Sequence, residues 1–580
     1  MRTFLFSAKV QQVSTDWLVV SYYKNQDRGV AKMKRKKGIL VAVGILALAL
    51  AGCTTGGTAK ESGDVTGKNA IKQEISVSLP APLSTLDTTQ TTDKITFTVV
   101  QHLFEGLYRF DDDSQPIPGL AQKVAISSDG KTYTFTLRDD AKWSNGDKVV
   151  AADFLFAWKR LVNPETMGPN AYLLDNVVNS QAIREGKKSV DEIGLAALDE
   201  KTFEVRLKQA QPSFLSVVSI GWLAPQNEKF VTAKKDAYAR TSEDLLYTGP
   251  FVLKDWKQTG DEWTLVKNDN YYGKDEVKLK TVHGSTIKEE NTGIQLVDSG
   301  ELDLQRISGQ YVEQFKNDPR LVTKPDVANQ FLDFNQKANP ALADVHVRKA
   351  IALAINKTQL AKNVLNDGAT PLNGLIPSGL YTNPDTKEDF RKYSGDYNLY
   401  DVKVAKSEWE KAKAVVGNGL KLKLLVTDDD NGEKVGEYLQ SQLEETLPGL
   451  KIVINKQPKV NLNQSRTDGN YELSVSGWIA GSSELDSYFN LYKTGSSYNY
   501  GGYQNKTYTA LVEKARTTDA NHPDAFFNDY QAAEKILLAE DAAQVPLYQS
   551  ASNYLINEKV DGIVFHAYGD YFNLRTAKVK

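Results

Sequence analysis

One cysteine, Cys53, occurs in the 580 residues, and that scarcity constrains the fold more than any other feature. A lone thiol closes no internal disulfide, no CxxC redox pair and no cysteine-rich zinc site. Whatever folds here must be held by apolar cores. The material is present: 41% of residues are apolar and 25% charged, a globular balance that excludes a wholly disordered, collagen-like or multi-span membrane chain. At about 150 residues per domain the length predicts three or four compact units, or fewer large ones. The formal charge of −3, from 70 Lys+Arg against 73 Asp+Glu, speaks against a dedicated nucleic-acid binder, which usually carries a strong basic excess.

The position of Cys53 adds a second constraint. Lys34, Arg35, Lys36 and Lys37 form a basic cluster, and from Gly38 to Gly52 only Gly, Ala, Val, Ile and Leu occur. As a helix this run spans about 22 Å, short of the roughly 30 Å hydrocarbon core. A basic region before a short apolar one reads as an export signal. The run ends Leu50-Ala51-Gly52-Cys53, which resembles the bacterial lipobox, where the cysteine is lipidated and becomes the mature N-terminus. Residues 33–52 are thus expected to be a lipoprotein signal peptide. Residues 54–69, rich in Gly, Thr, Lys and Ser, extend Cys53 as a flexible tether (53–69). Residues 1–32 precede the place where a signal should begin, and Met33 is read as the true start; a long basic leader is the alternative. Residues 1–52 hold nine basic and two acidic side chains, so the remainder carries 61 basic against 71 acidic, a net −10.

From residue 70 onward, elements alternate in type without tandem repeats, which predicts an α/β architecture. Ile75, Val77 and Leu79 alternate with polar residues as a strand, as do Tyr133, Phe135 and Leu137, and Phe203, Val205 and Leu207. Asn145-Gly146 marks a turn. Phe154, Ala157, Trp158 and Leu161 recur at helical spacing. Leu420, Leu422, Leu424 and Val426 predict a strand, residues 433–447 a helix, Ile452 and Ile454 a further strand, and Leu473 and Val475 another.

No GxSxG elbow, HExxH or GxxxxGK[ST] loop is present. The five histidines (His102, His283, His346, His522, His566) lie far apart in sequence and form no local pair. Asp428-Asp429-Asp430-Asn431-Gly432 superficially follows a calcium loop. With Gly432 at the sixth position, however, Thr427 and Tyr438 fall where carboxylates belong, so it reads as a solvated strand-to-helix turn. No metal and no cofactor is expected. The surplus of 27 Tyr, 21 Phe and 8 Trp fits large cores or an aromatic-lined cleft.

The block Leu137-Arg138-Asp139-Asp140-Ala141-Lys142-Trp143-Ser144-Asn145-Gly146-Asp147, with Ala152-Asp153-Phe154 and Trp158-Lys159-Arg160, resembles the family 5 extracellular solute-binding proteins of the oligopeptide-binding type. Thr248-Gly249-Pro250-Phe251, Val347-Arg348-Lys349-Ala350, Gly477-Trp478, Ala533-Glu534-Lys535-Ile536-Leu537 and Val545-Pro546-Leu547-Tyr548 continue the likeness in order. The resemblance implies a two-lobe periplasmic-binding-protein-like fold (type II, cluster C). Lobe one would comprise residues 70–328 and 550–580, with an inserted subdomain at about 93–214, and lobe two residues 329–549. It also implies a non-enzymatic, monomeric receptor, lipid-anchored outside the cell membrane of a Gram-positive surface. Such a receptor captures an oligopeptide and delivers it to ABC permease subunits and their ATPases.

By the same resemblance, Ala81-Pro82-Leu83 and Gly477-Trp478-Ile479 are opposing edges that contact the peptide main chain, with Tyr172 and Phe331-Leu332-Asp333 at cleft positions. The family commonly reads Gly-Trp-x-Ala-Asp, its aspartate pairing with the ligand ammonium; here Gly481 stands in that place. Either Glu484 or Asp486 substitutes, or the ligand lacks a free amine there. Arg306 falls where some relatives place a cleft tyrosine, and a bidentate clamp on a ligand carboxylate is one reading of it. Rival readings keep the fold with another solute (a nickel chelate, sugar, opine-like molecule or peptide pheromone) or use it as a surface hydrolase or chaperone.

Overall fold

Period-two alternation becomes strand at each place the sequence predicts it. The computed structural model of the chain describes residues 71–258 and 260–580; the expected extension, signal peptide, tether and lipidated Cys53 lie outside the described residues. Ile75, Val77 and Leu79 are buried in the strand Glu74–Leu79, and Leu422, Leu424 and Val426 in Leu420–Thr427. Eleven strands share the main sheet. From one edge the order is Leu450–Gln457, Leu420–Thr427, Leu473–Ile479, Leu321–Phe334, Gln544–Ile556, Leu304–Ile307, Glu74–Leu79, Thr281–Thr286, Glu262–Lys267, Phe251–Lys254. The short Thr370–Pro371 strand joins beside Gln544–Ile556.

Two parallel groups sit in this sheet. Leu420–Thr427 is parallel to Leu450–Gln457 and to Leu473–Ile479. Glu74–Leu79 is parallel to Thr281–Thr286 and Leu304–Ile307. The two longest strands, Leu321–Phe334 and Gln544–Ile556, run antiparallel between the groups. Their register breaks midway: Pro325 opposes Ala551 and Asn329 opposes Gln549, so Asp326, Val327 and Ala328 face Ser550 alone. Such a bulge disrupts the ladder locally and bends the strand. Leu304–Ile307, on the far side of Gln544–Ile556 from Leu321–Phe334, runs in the same direction as that strand toward the break, ending with Ile307 opposite Asn553. Leu473–Ile479 runs toward it from the other side, ending with Ile479 opposite Ala328. The carboxyl ends of both parallel groups therefore converge on one line, where open α/β sheets place ligands.

Among the described residues, three large cores support this sheet and a smaller one. One surrounds Val77, Val282 and Leu304 and reaches Tyr488, Tyr508 and Tyr530. A second packs Leu422, Leu439 and Ile452. A third fills the space beneath a separate antiparallel sheet ordered Ala121–Ile126, Thr132–Leu137, Thr202–Arg206, Leu195–Ala197. There the helix Ala151–Val162 buries Phe154, Ala157, Trp158 and Leu161, and Trp158 meets Phe203 edge-on at 5.2 Å. Members of this core run from Leu107 to Leu223, whereas the helix Lys94–Leu103 packs into the first core.

One helix starts earlier than its apolar spacing implies. Asp430–Thr446 includes Asp430, Asn431 and Gly432, expected as turn, because the Asp429 carboxylate accepts from the Gly432 N–H at 2.8 Å and caps the helix there. It ends at Thr446 rather than Leu447, whose N–H donates to the Leu443 carbonyl as the chain turns extended. The histidines serve packing and surface roles in several cases. His102 is buried, with Nδ1 2.6 Å from the Thr98 carbonyl and Nε2 accepting from the Leu574 N–H. Among the described residues no helix is long and apolar enough to cross a membrane.

Candidate functional site

The strand Leu473–Ile479 forms one wall at the convergence line. Its register puts Trp478 opposite Asn329 and Gly477 opposite Gln330. On its other side only Leu473 and Ser474 pair, so Val475 to Ile479 keep a main-chain edge without a ladder partner among the described residues. A Cβ at Gly477 would stand 2.3 Å from the side-chain amide nitrogen of Gln330, which would have to swing away. The Trp478 indole donates to Ser487 Oγ at 2.9 Å and packs edge-on against Tyr498 at 5.3 Å. Ile479 is 49% exposed, an apolar side chain with no core to enter.

Behind this wall lies a charged pair that spacing did not reveal. Arg466, on the helix Lys459–Thr467, donates to Asp333 at 3.1 Å and to Ser476 Oγ at 2.7 Å. Tyr471 and Tyr492 also donate to Asp333, at 3.0 and 3.3 Å. Burial first, and the Asp333 charge second, raise both phenols, so both stay protonated donors. The guanidinium lies 5.8 Å from the Phe331 ring centre and 5.3 Å from that of Tyr500. Phe331, Asp333, Arg466, Trp478, Tyr498 and Tyr500 line one recess of about 320 Å³.

Across the convergence line, Ala81-Pro82-Leu83 follows the strand Glu74–Leu79. Pro82 is exposed, while Leu83 is buried in the first core. Arg306 is half-buried on Leu304–Ile307, opposite Tyr554. Its guanidinium lies 5.4 Å from the Tyr571 ring centre, and the Lys94 ammonium lies 4.8 Å from the same ring. Tyr172, 51% exposed, stands on the third core's side. Desolvation raises its phenol, and the neighbouring Tyr498 and Glu484 add to this.

The structure divides the residues singled out from sequence. Phe331, Asp333 and Trp478 share the recess, and Gly477 and Ile479 continue its strand. Leu332 does not join them: strand alternation turns it into the second core at 0% exposure. Glu484 accepts from Gln211 Nε2 at 2.5 Å and Ser213 Oγ at 2.7 Å, tying its loop to the region under the small sheet. Asp486 lies near Arg516, its Oδ1 buried without a partner, and burial pushes its carboxyl up to about 6. At Gly481 a Cβ would meet nothing within 4 Å. Lys94, Arg466, Tyr498, Tyr500 and Tyr571 are additions the sequence reading missed. Their signals were a lone cation in a helix and tyrosines among many, which become specific only once strand order is known.

A larger recess of about 770 Å³, lined by Arg109, Asp112, Glu276, His566 and Arg575, contains none of the expected site residues. Its cations already have partners: Arg109 lies 3.8 Å from Glu276, and Arg575 pairs with Glu105 at 2.8 Å.

The family model described as bacterial extracellular solute-binding proteins, family 5 Middle, matches residues 115–537. A dipeptide-binding protein of Lactococcus lactis subsp. cremoris is 33% identical over 529 residues, covering 88% of this chain and 96% of the relative. The crystal structure of the substrate-binding domain of an oligopeptide ABC transporter from Bacillus anthracis str. Ames superimposes with a TM-score of 0.69 at 36% identity, covering 88% of this chain and 99% of that one. The unliganded open form of the periplasmic murein tripeptide binding protein MppA gives 0.76 at 27% identity, covering 88% and 98%. The architecture is thus the α/β two-lobe periplasmic-binding-protein fold, and the chain belongs to the family 5 bacterial extracellular solute-binding proteins.

Proposed function

We propose that this chain is the substrate-capturing component of an ABC importer for oligopeptides, held at the outer face of the cell membrane by lipid on Cys53. The observation that carries the peptide reading is the unpaired main-chain edge of Val475 to Ile479, placed at the line where both parallel groups end. An extended peptide adds to such an edge as a strand. Its affinity then comes from main-chain hydrogen bonds, and side chains enter pockets of low selectivity. Ala81-Pro82-Leu83 is the second edge in this reading, and Pro82 offers no N–H to it. Relatives whose names state dipeptide, oligopeptide and murein tripeptide binding point the same way.

The register break at Asp326–Ala328 is the hinge, with lobe one at residues 70–328 and 550–580 and lobe two at 329–549. A few residues at element ends absorb such a rotation. The better superposition on an open form than on a more identical relative fits lobes standing apart. Cargo leaves through permease subunits driven by their ATPases. Mass spectrometry of the protein isolated under native conditions tests the proposal: co-isolated peptides are expected. A different solute in their place, with no thermal shift from any peptide pool, overturns the peptide assignment. One observation favours a second reading, a blocked or internally bound peptide: the open space at Gly481 leaves a ligand ammonium without the family's counter-charge.

A further inference from the structure

Lys94 and Arg306 are held close together over one ring, and neither has a partner. Lys94 begins the helix Lys94–Leu103, and Arg306 sits next to the carboxyl end of its strand. The ring of Tyr571 lies 4.8 Å from the first cation and 5.4 Å from the second. Among the described residues neither cation forms an ion pair, and the Arg306 Nε is buried with no hydrogen-bond acceptor. Asp326, in the register break, is already bound by Ser552 Oγ at 2.9 Å through both of its oxygens. Burial lowers the Lys94 pKa most, and the Arg306 charge lowers it further against the pull of Asp326 and Asp570. Two like charges share a site in which no carboxylate among the described residues is in direct contact with either.

A fold tolerates this arrangement when an anion completes it. A guanidinium presents its N–H groups as a fork matched to two carboxylate oxygens, and an ammonium supplements it as a point charge. The tyrosine face stabilises both cations by a smaller amount. The contrast with Arg466, which has Asp333 and Ser476, shows that this chain does supply partners where a cation is structural.

We infer that Lys94, Arg306 and the Tyr571 ring form a carboxylate-binding subsite beside the hinge, which selects peptides carrying an anionic group at that place. The inference rests on the oligopeptide reading above. The anion is the ligand's terminal carboxylate or an acidic side chain, and the chemistry is the same for both.

The test titrates the full chain with three synthetic pools of short random peptides: free-acid without Asp or Glu, amidated with Asp or Glu, and amidated without either. At least one of the first two is expected to bind tenfold or more tighter than the third, and the tighter pool identifies the source of the anion. The double variant Lys94→Met, Arg306→Met should lose that discrimination while its ligand-free melting temperature stays the same or rises. Equal binding of all three pools, equal losses for all three in the variant, or a clear fall in the ligand-free melting temperature overturns the subsite. If no pool binds the unmodified chain, the peptide reading fails instead. The subsite is then judged with glutarate alone: thermal stabilisation of the unmodified chain but not the variant supports it, and identical responses overturn it.

Discussion

The two sides of the convergence line treat charge in opposite ways. Beside the strand Leu473–Ile479, Arg466 and Asp333 neutralise one another, and Tyr471, Tyr492 and Ser476 add hydrogen bonds to the pair. Beside the strand Leu304–Ile307, Lys94 and Arg306 share an aromatic ring, and among the described residues neither is in ion-pair contact with a carboxylate, although Asp326 and Asp570 act on Lys94 from farther off. The first arrangement is a support that keeps Phe331, Trp478 and the tyrosines in place. The second leaves both cations without a contacting carboxylate, which is the opening the inferred subsite uses. A satisfied buried pair contributes rigidity, and an unsatisfied one stores potential for binding.

The largest expected effect breaks the supporting wall. Asp333→Ala leaves Arg466 buried without its counter-charge and should cost about 3–5 kcal/mol of stability, read as a lower urea midpoint with peptide affinity falling alongside. Next comes acid. His102, on the helix that carries Lys94, is pushed down to about 4 by burial. Its unfolded form takes a proton near 6.5, so the stability it contributes is full above 6.5 and drains as pH falls toward 4, by about 3 kcal/mol. His102→Gln should flatten that acid limb in urea titrations at pH 4.5 and 7. A smaller change sharpens the contrast: Arg306→Met alone should weaken anionic peptides roughly tenfold, the worth of a charged hydrogen bond, with an unchanged urea midpoint. Gly481→Asp places an acid in open space and should tighten peptides with a free amino terminus by roughly fivefold over their acetylated forms in calorimetry. The smallest effect belongs to Glu484→Gln. The amide oxygen still accepts from Gln211 and Ser213, and affinity should stay within about threefold, because this carboxylate is spoken for within the chain.

Legibility from sequence followed the same division. Local alternation identified the strands at Ile75, Tyr133 and Leu420, and helical spacing identified the packing of Trp158, because burial on one face leaves a periodic trace. Cap geometry shifted one helix start, since Asp429 and not the first apolar residue sets it. The recess beside Leu473–Ile479 was legible where a motif names adjacent residues, as at Gly477-Trp478. It was not legible where partners come from distant strands: nothing in spacing links Asp333 to Arg466, or Lys94 to Arg306 and Tyr571. Leu332 shows the reverse failure, a neighbour in sequence that alternation sends into the core.

The unpaired edge of Val475 to Ile479 also bears on self-association. A bare strand edge is a template on which other chains can stack, and secreted proteins usually blunt such edges with charge, proline or cover. Here the edge lies next to the register break, at the inner end of its strand. Five residues beside a register break make a short template, one of the ways in which sheets keep an edge from pairing with further chains.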